Sequence, residues 1–170
     1  VSAMIGASLG LVNGILIGGL GLPTLIVTLG TLSLFRGALL TFVGTTYLTN
    51  VPRNVISFAR TMIVRMENAV GQLASLPLSF VVLIGVTGFV AFLMNMTKFG
   101  RAIYAIGGSE EGARRIGIKV GRTKVLIYVI VGAIAGLAGM THMTLSRMAN
   151  PFDLVGMELN VIAAVVLGGA

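Results

Sequence analysis

Residues 1–22 have the sequence VSAMIGASLGLVNGILIGGLGL, without a single charged side chain. An α-helix rises about 1.5 Å per residue, so about 20 apolar residues cross the hydrocarbon core of a bilayer. Glycine recurs at every fourth position, at residues 6, 10, 14 and 18. Because residues four apart share a helix face, the stretch predicts a membrane-spanning helix with one flat face that a neighbouring helix can approach closely.

The composition of the 170-residue chain is that of a membrane protein. Hydrophobic residues make up 56% and charged residues 10%, whereas a soluble domain carries about 25% charged residues. The net charge is +7, but the basic residues are concentrated in one segment, without the aromatic-interleaved basic face of a nucleic-acid reader. We therefore expect a protein in contact with membrane lipid that binds no nucleic acid.

Further apolar runs predict the rest of the fold. Residues 24–43, 76–96 and 125–145 are each long enough to span a bilayer, and residues 161–170 make a partial or re-entrant fifth piece. The second run carries one charge, Arg36, which we interpret as an anchor that reaches the headgroups. The expected fold is all-α: one polytopic transmembrane bundle over residues 1–170, with four full spans. Both ends lie in apolar runs, so we expect a fragment of a longer chain.

The charge of the loops predicts the orientation. Residues 97–124 hold seven basic and two acidic residues, and short basic loops stay in the cytoplasm. The segment 44–75 then lies outside. Around Val55 to Leu73 this outer segment is mildly amphipathic, so an interfacial helix and an ordinary solvated loop both remain open.

The small and hydroxylated residues of the spans allow two interpretations. A second glycine series in GAIAGLAGM (132–140) and the series in the first span favour ordinary helix packing, but a moving interface in a transporter stays open. Thr24, Thr28 and Thr31 fall near one helix face. Their hydroxyls are expected to bond back to their own helix, with a polar path as the alternative.

The basic loop contains a short helix with matched ends. Ser109 can act as its N-cap, and the acidic residues of the first turn suit the positive end of the helix dipole. Basic residues follow in the last turn, and Gly117 supplies a left-handed stop. The pattern predicts a helix over residues 110–116. A helix this short is not stable alone, so we favour a docking element over a solvated loop.

No residue set for catalysis or metal binding is present in the sequence. The chain has no cysteine and a single histidine, His142, which we interpret as a packed or interfacial residue. Paired carboxylates and nucleophile–base sets are also lacking. We therefore expect no metal, no cofactor and no enzymatic activity.

The stretch GGSEEGARRIGI (107–118) resembles the cytoplasmic coupling loop of ATP-binding-cassette (ABC) importer permeases, whose pattern is Glu-Ala-Ala, three residues, Gly. Here Glu111, Gly112, Ala113 and Gly117 stand at the matching positions, with glycine in place of the usual first alanine. The stretches LPTLIVTLGTLSLFRG (22–37), TKFGRAIYAIGG (97–108) and GMELNVIAAVVLGGA (156–170) resemble the ribose, xylose and galactose permeases. Members of that family are normally longer than this chain.

The resemblance implies a transport subunit of the bacterial inner membrane with three kinds of protein partner. These are cytoplasmic ABC ATPase subunits, which hydrolyse the ATP, a second permease subunit and an extracytoplasmic sugar-binding protein. The implied contact with the ATPase is made by Glu110, Glu111, Ala113, Arg114, Arg115, Ile116 and Gly117. Hydroxyl and amide side chains suit a sugar path, and the candidates are Asn13, Thr28, Thr31 and Asn160. Asp153 and Glu158 are expected at the outer interface or a gate.

Two other classes of membrane protein compete with this interpretation. A secondary transporter or channel usually carries charged or strongly polar residues inside its spans, and these spans have almost none. A structural membrane subunit without a pathway of its own is the second alternative.

Overall fold

The computed structural model describes residues 1–44, 62–67, 73–146 and 156–168. In chain order these form helix α1 (Ser2–Gly14), a π-helical turn (Ile15–Gly19), α2 (Thr24–Val43), strands β1 (Met62–Glu67) and β2 (Leu73–Pro77), α3 (Leu78–Met96), α4 (Lys98–Gly108), α5 (Glu110–Arg115), α6 (Val120–Ser146) and α7 (Met157–Leu167). Among these residues, four helical segments are long and apolar enough to cross a membrane, which confirms the predicted all-α transmembrane bundle apart from the two short strands.

The glycine face of α1 packs against α6, and the two helices run antiparallel. Gly6 faces Gly132 and Gly136, while Gly18 at the other end faces Gly121. At Gly6, Gly10, Gly14 and Gly18, the nearest atom to an added Cβ would be a backbone atom of α6. Such close approach of two backbones gains van der Waals contact that any larger side chain would prevent. The predicted flat face is therefore the main helix–helix interface of the described residues.

The first span ends in a π-helical turn that the sequence analysis did not predict. Over Ile15–Gly19 the helix widens, and the amide of Leu20 donates to the carbonyl of Ile15, five residues back. Gly21, with φ +70°, then reverses the chain, and α2 begins immediately after Pro23. A π-turn often marks a functional position in a helix, and here it lies where α1 meets the start of α6.

The third span turns sharply into α4, an amphipathic helix inside the segment that we had predicted as a loop. Thr97 caps α4 by accepting from the amide of Gly100 (3.1 Å), and its hydroxyl donates to the carbonyl of Leu93 (2.6 Å). Gly100 is buried, and a Cβ there would overlap the carbonyl oxygen of Met94. The corner between α3 and α4 therefore depends on the hydroxyl of Thr97 and on the lack of a Cβ at Gly100.

The observed helices and strands differ from the expected bounds at several places. The fourth span begins at Val120, not at residue 125, because the basic residues at its start were assigned to the loop although they continue the helix. Strand β1 occupies part of the region around Val55 to Leu73, so an interfacial helix does not run through it; residues 55–61 and 68–72 lie outside the described residues. The partial fifth piece begins at Met157 rather than at residue 161.

The two strands form an antiparallel hairpin just before the third span. Val64 pairs with Leu76 and Glu67 with Leu73, with an irregularity between Met62 and Val64. Strand β2 ends at Pro77, and α3 begins at the next residue. The hairpin adds a small β element to the end of the bundle that is remote from α5, since α3 runs from the hairpin towards α4.

Candidate functional site

The predicted short helix is present as α5, and its ends are capped as expected. The Ser109 hydroxyl accepts a hydrogen bond from the amide of Gly112 at 3.0 Å, which satisfies one of the free amides of the first turn. At the other end Gly117 has φ +84°, the left-handed conformation that suits glycine. The amide of Ile118 then donates to the carbonyl of Ala113 at 3.0 Å. The helix ends at Arg115, one residue earlier than predicted.

Two ion pairs run along the outside of α5, each between residues four apart. The guanidinium of Arg114 lies 2.9 Å from the carboxylate of Glu110, and that of Arg115 lies 2.6 Å from Glu111. The acid precedes the base in both pairs, the order that also suits the helix dipole. Side chains this exposed are screened by water, so the pairs shape the surface more than they stabilise the helix.

Ala113 differs from the other residues of the predicted contact surface. It is only 2% exposed, whereas Ile116 is 73% exposed and Glu111, Arg114, Arg115 and Gly117 are all exposed. Ala113 therefore fastens α5 to the rest of the chain and is not available to a partner. The exposed residues, with half-buried Glu110 at the edge, form what we call the α5 surface.

Glu110 also pairs with Lys124, a contact that the sequence did not predict. The Nζ atom of Lys124 donates to the second carboxylate oxygen of Glu110 at 2.6 Å, and the Lys124 side chain is 28% exposed. The hydrogen bond from Lys124, and next that from Arg114, lower the pKa of Glu110 below the usual range of a glutamate. No spacing rule joins residues fourteen apart, so only the structure reveals this contact.

The site lies where several helix ends meet. A depression beside Glu110 and Lys124 is lined by the turn between the first two spans, including Gly21, Pro23 and Thr24. The first residues of α6 complete it, because Val120 is 4% exposed and Gly121 rests on the carbonyl of Gly18. The charged helix, the π-turn and the starts of α2 and α6 thus share one end of the bundle.

The four predicted path residues are not brought together. The hydroxyls of Thr28 and Thr31 donate to the carbonyls four residues earlier, Thr24 and Val27, both at 2.9 Å, as the back-bonding interpretation predicted. Asn160 is exposed on α7. Asn13 alone lies in the groove beside α6 that Phe35 and Tyr128 also line, and its buried amide oxygen accepts no hydrogen bond from the described residues.

The acidic residues predicted at the outer end have separate outcomes. Glu158 lies in the first turn of α7, where its carboxylate accepts from the amide of Gly156 at 2.9 Å. This contact holds the residue before α7 in place and gives Glu158 a local role. Asp153 lies outside the described residues.

The sequence did contain a signal for one missed element, α4. Its apolar residues Phe99, Ile103 and Ile106 are half-buried, while Lys98 and Arg101 are exposed. Spacing of this kind is typical of an amphipathic helix, and Thr97 was available as its N-cap. The density of basic residues led to the prediction of a loop.

Comparison with known proteins identifies the family. The family model described as "Branched-chain amino acid transport system / permease component" matches residues 1–170. Among its relatives is the Autoinducer 2 import system permease protein LsrC of Enterobacter sp. (strain 638), which is 36% identical over 97% of this chain. The protein of the same name from Klebsiella pneumoniae is 33% identical over 97% of the chain. The one from Escherichia coli is 30% identical over 98%.

The chain spans about half the length of these curated relatives, namely 45% or 46%. No solved structure matches it. The match over all 170 residues agrees with the resemblance to importer permeases, and with the four apolar helices it makes this a multi-pass membrane protein. The chain belongs to the family of permease components of branched-chain amino acid transport systems.

Proposed function

We propose that this chain is part of the membrane-spanning permease subunit of an ATP-driven importer, and that the α5 surface is where a cytoplasmic ABC ATPase subunit docks. The observation that carries the proposal is α5 itself, a capped helix anchored by Ala113 with both ion pairs facing outward. Its place in a segment with seven basic residues favours the cytoplasmic side of the inner membrane. ATP hydrolysis then belongs to the partner.

The substrate we propose is a small polar solute of the sugar type, delivered by an extracytoplasmic binding protein. The curated relatives carry the name of an autoinducer 2 import system, and the motifs resemble sugar permeases. The family description names branched-chain amino acids instead. Uptake assays with a pentose, a hexose and leucine as competing solutes would separate these classes, since a path with hydroxyl and amide partners favours the sugars.

Asn13 is our candidate for a path residue in this chain. Its buried amide oxygen accepts no hydrogen bond from the described residues, and a buried polar atom normally has a partner. A solute hydroxyl, or a residue of the other half of the permease, would supply one. The other candidates are weaker. The hydroxyls of Thr28 and Thr31 already have backbone partners, and Asn160 is exposed on α7.

The proposal is tested by reconstituting the full-length permease with its ATPase and binding protein. Uptake of radiolabelled solute into liposomes should require ATP, and Glu111→Lys should reduce co-purification of the ATPase. The change breaks the pair with Arg115 and places a cation in the first turn of α5, where the helix dipole disfavours it. Lys119→Glu, a charge reversal just beyond α5, is the matched control. Normal ATPase binding and transport by Glu111→Lys would refute the docking assignment.

The same reconstitution separates the alternatives. A secondary transporter or channel would take up solute without ATP, driven by an ion or solute gradient. A structural subunit would bind its partners without any solute uptake depending on it. We expect uptake only with ATP, the ATPase and the binding protein all present.

A further inference from the structure

The ion pair between Lys124 and Glu110 joins two different helices. The other ion pairs of the described ranges, Arg114–Glu110 and Arg115–Glu111, lie within α5. Lys124 reaches from the second turn of α6 to the first residue of α5, with Nζ 2.6 Å from the carboxylate. Its side chain is 28% exposed and Glu110 is 41% exposed, so the pair is shielded more than those on the outer face.

The pair occupies a place where a lysine alone would be unfavourable. The start of a helix carries a partial positive charge, and Lys124 lies near the start of α6. Arg122, two residues before it, is exposed and can turn its charge to water. Lys124 is partly buried and needs a nearby carboxylate, which Glu110 supplies.

The position of the pair gives α5 a second point of attachment. The chain already joins α5 to α6 through the four residues 116–119, and Ala113 packs inward, so the C-terminal end of α5 is held. The N-terminal end of α5 follows α4 after the single residue Ser109, and the ion pair ties this end to α6. With it, both ends of α5 are fixed to the first turns of α6.

The start of α6 is itself braced against the first span. Gly121 rests on the carbonyl oxygen of Gly18 in the π-turn, and residues 21–24 line the same depression as Glu110 and Lys124. A force on α5 that reaches α6 therefore also reaches α1. This is a continuous path of contacts from the α5 surface to the glycine interface of α1 and α6.

We propose that Lys124 is a positioning residue that locks α5 to α6, so that movement of α5 by the docked ATPase is passed to the α1–α6 pair. The proposal rests on the docking function of α5. It assigns Lys124 no contact with the ATPase or the solute. Its role is to make α5 and α6 move as one body.

The test measures two quantities in the reconstituted full-length importer: ATP hydrolysed and solute taken up. Lys124→Met should lower the solute imported per ATP hydrolysed several-fold while the ATPase still co-purifies. Lys124→Arg, which keeps the charge, should import nearly as much solute per ATP hydrolysed as the wild type. Arg122→Met removes a nearby cation of the same helix without breaking an ion pair of the described residues, and should leave the ratio unchanged.

A double-mutant cycle shows whether the two residues act through each other. If they do, Glu110→Gln with Lys124→Met will be no worse than the more severe single variant, because the shared interaction is lost only once. Strictly additive losses, or a wild-type ratio for Lys124→Met, would overturn the proposal. If Lys124→Met does not fold, Glu110→Gln alone breaks the same ion pair and should lower the solute imported per ATP; a wild-type ratio for Glu110→Gln would then overturn the proposal.

The failure of this proposal is distinguishable from failure of the docking function. Suppose that Glu111→Lys releases the ATPase but Lys124→Met imports a normal amount of solute per ATP hydrolysed. The docking function of α5 is then supported, and the proposed role of Lys124 is refuted. If Glu111→Lys binds its ATPase and transports normally, the docking function of α5 is refuted. The role of Lys124, which rests on that function, is then refuted as well.

Discussion

Glu110 accepts charge-assisted hydrogen bonds from two cations on different helices, Lys124 on α6 and Arg114 on α5. Both bonds favour the ionised carboxylate, with that from Lys124 the larger influence, and the pKa of Glu110 falls below its usual range. A carboxyl with a lowered pKa contributes stability above its unfolded-state pKa and loses it as the pH falls through the folded value. The pair is therefore intact at neutral pH.

Replacing Lys124 by methionine should raise the pKa of Glu110 towards that of an ordinary glutamate, because the larger of the two hydrogen bonds is lost. The measurement is a pH titration of the permease labelled with ¹³C at glutamate side chains, with Glu110→Gln used to assign the signal. Arg122→Met is the control and should leave that titration unchanged. A Glu110 titration identical in wild type and Lys124→Met would show that the two side chains are not in contact.

Among the elements, α1 and α6 are held together by backbone contact that only glycine permits. Of the three glycines in GAIAGLAGM, Gly132 and Gly136 meet α1, whereas a Cβ on Gly139 would meet nothing within 4 Å in the described part of the chain. Gly132 and Gly139 thus form a matched pair on one helix. They differ in contact with α1 but share residue type and secondary structure.

Gly132→Ala should destabilise the folded permease by about 1–3 kcal/mol, the usual cost of overpacking, because the added methyl would overlap the carbonyl of Gly6. Gly139→Ala should be neutral or slightly stabilising, since alanine favours a helix by up to about 1 kcal/mol over glycine. The free energy of unfolding, measured by denaturant titration in detergent micelles, checks both. Equal values for the two variants would show that Gly132 does not lie in a close helix contact.

The same elements show what the sequence could predict. The spans and the α1 glycine face follow from local rules: apolar length, spacing of four and helix capping. Those rules also placed α5 within one residue of its observed end. The π-turn, the α3–α4 corner and the Lys124–Glu110 pair depend on contacts between distant residues, which no local pattern encodes. The hairpin was missed because a mildly amphipathic segment is compatible with both helix and strand.

At the scale of the whole molecule, the connections between the described helices lie at the two opposite ends of the bundle. The turn between α1 and α2 meets the starts of α5 and α6 through contacts around Glu110 and Gly18, and α4 joins the α3–α4 corner to α5 through Ser109. The end of α2 and the β hairpin lie at the opposite end, because α2 and α3 each run the length of the bundle. That 97–124 and 44–75 lie on opposite sides of the membrane stays a prediction.

The orientation can be tested with single cysteines, because this part of the permease contains none. In an otherwise cysteine-free full-length permease, Lys119→Cys lies in the exposed link before α6, and Phe42→Cys lies in the last turn of α2 with the native side chain 88% exposed. A membrane-impermeant maleimide should label the Lys119→Cys variant only in inverted membrane vesicles. It should label the Phe42→Cys variant only in intact spheroplasts, because positive charge holds the 97–124 segment in the cytoplasm. Labelling of Lys119→Cys in spheroplasts would place α5 outside the cell, out of reach of any cytoplasmic ATPase, and would refute both the docking surface and the lock.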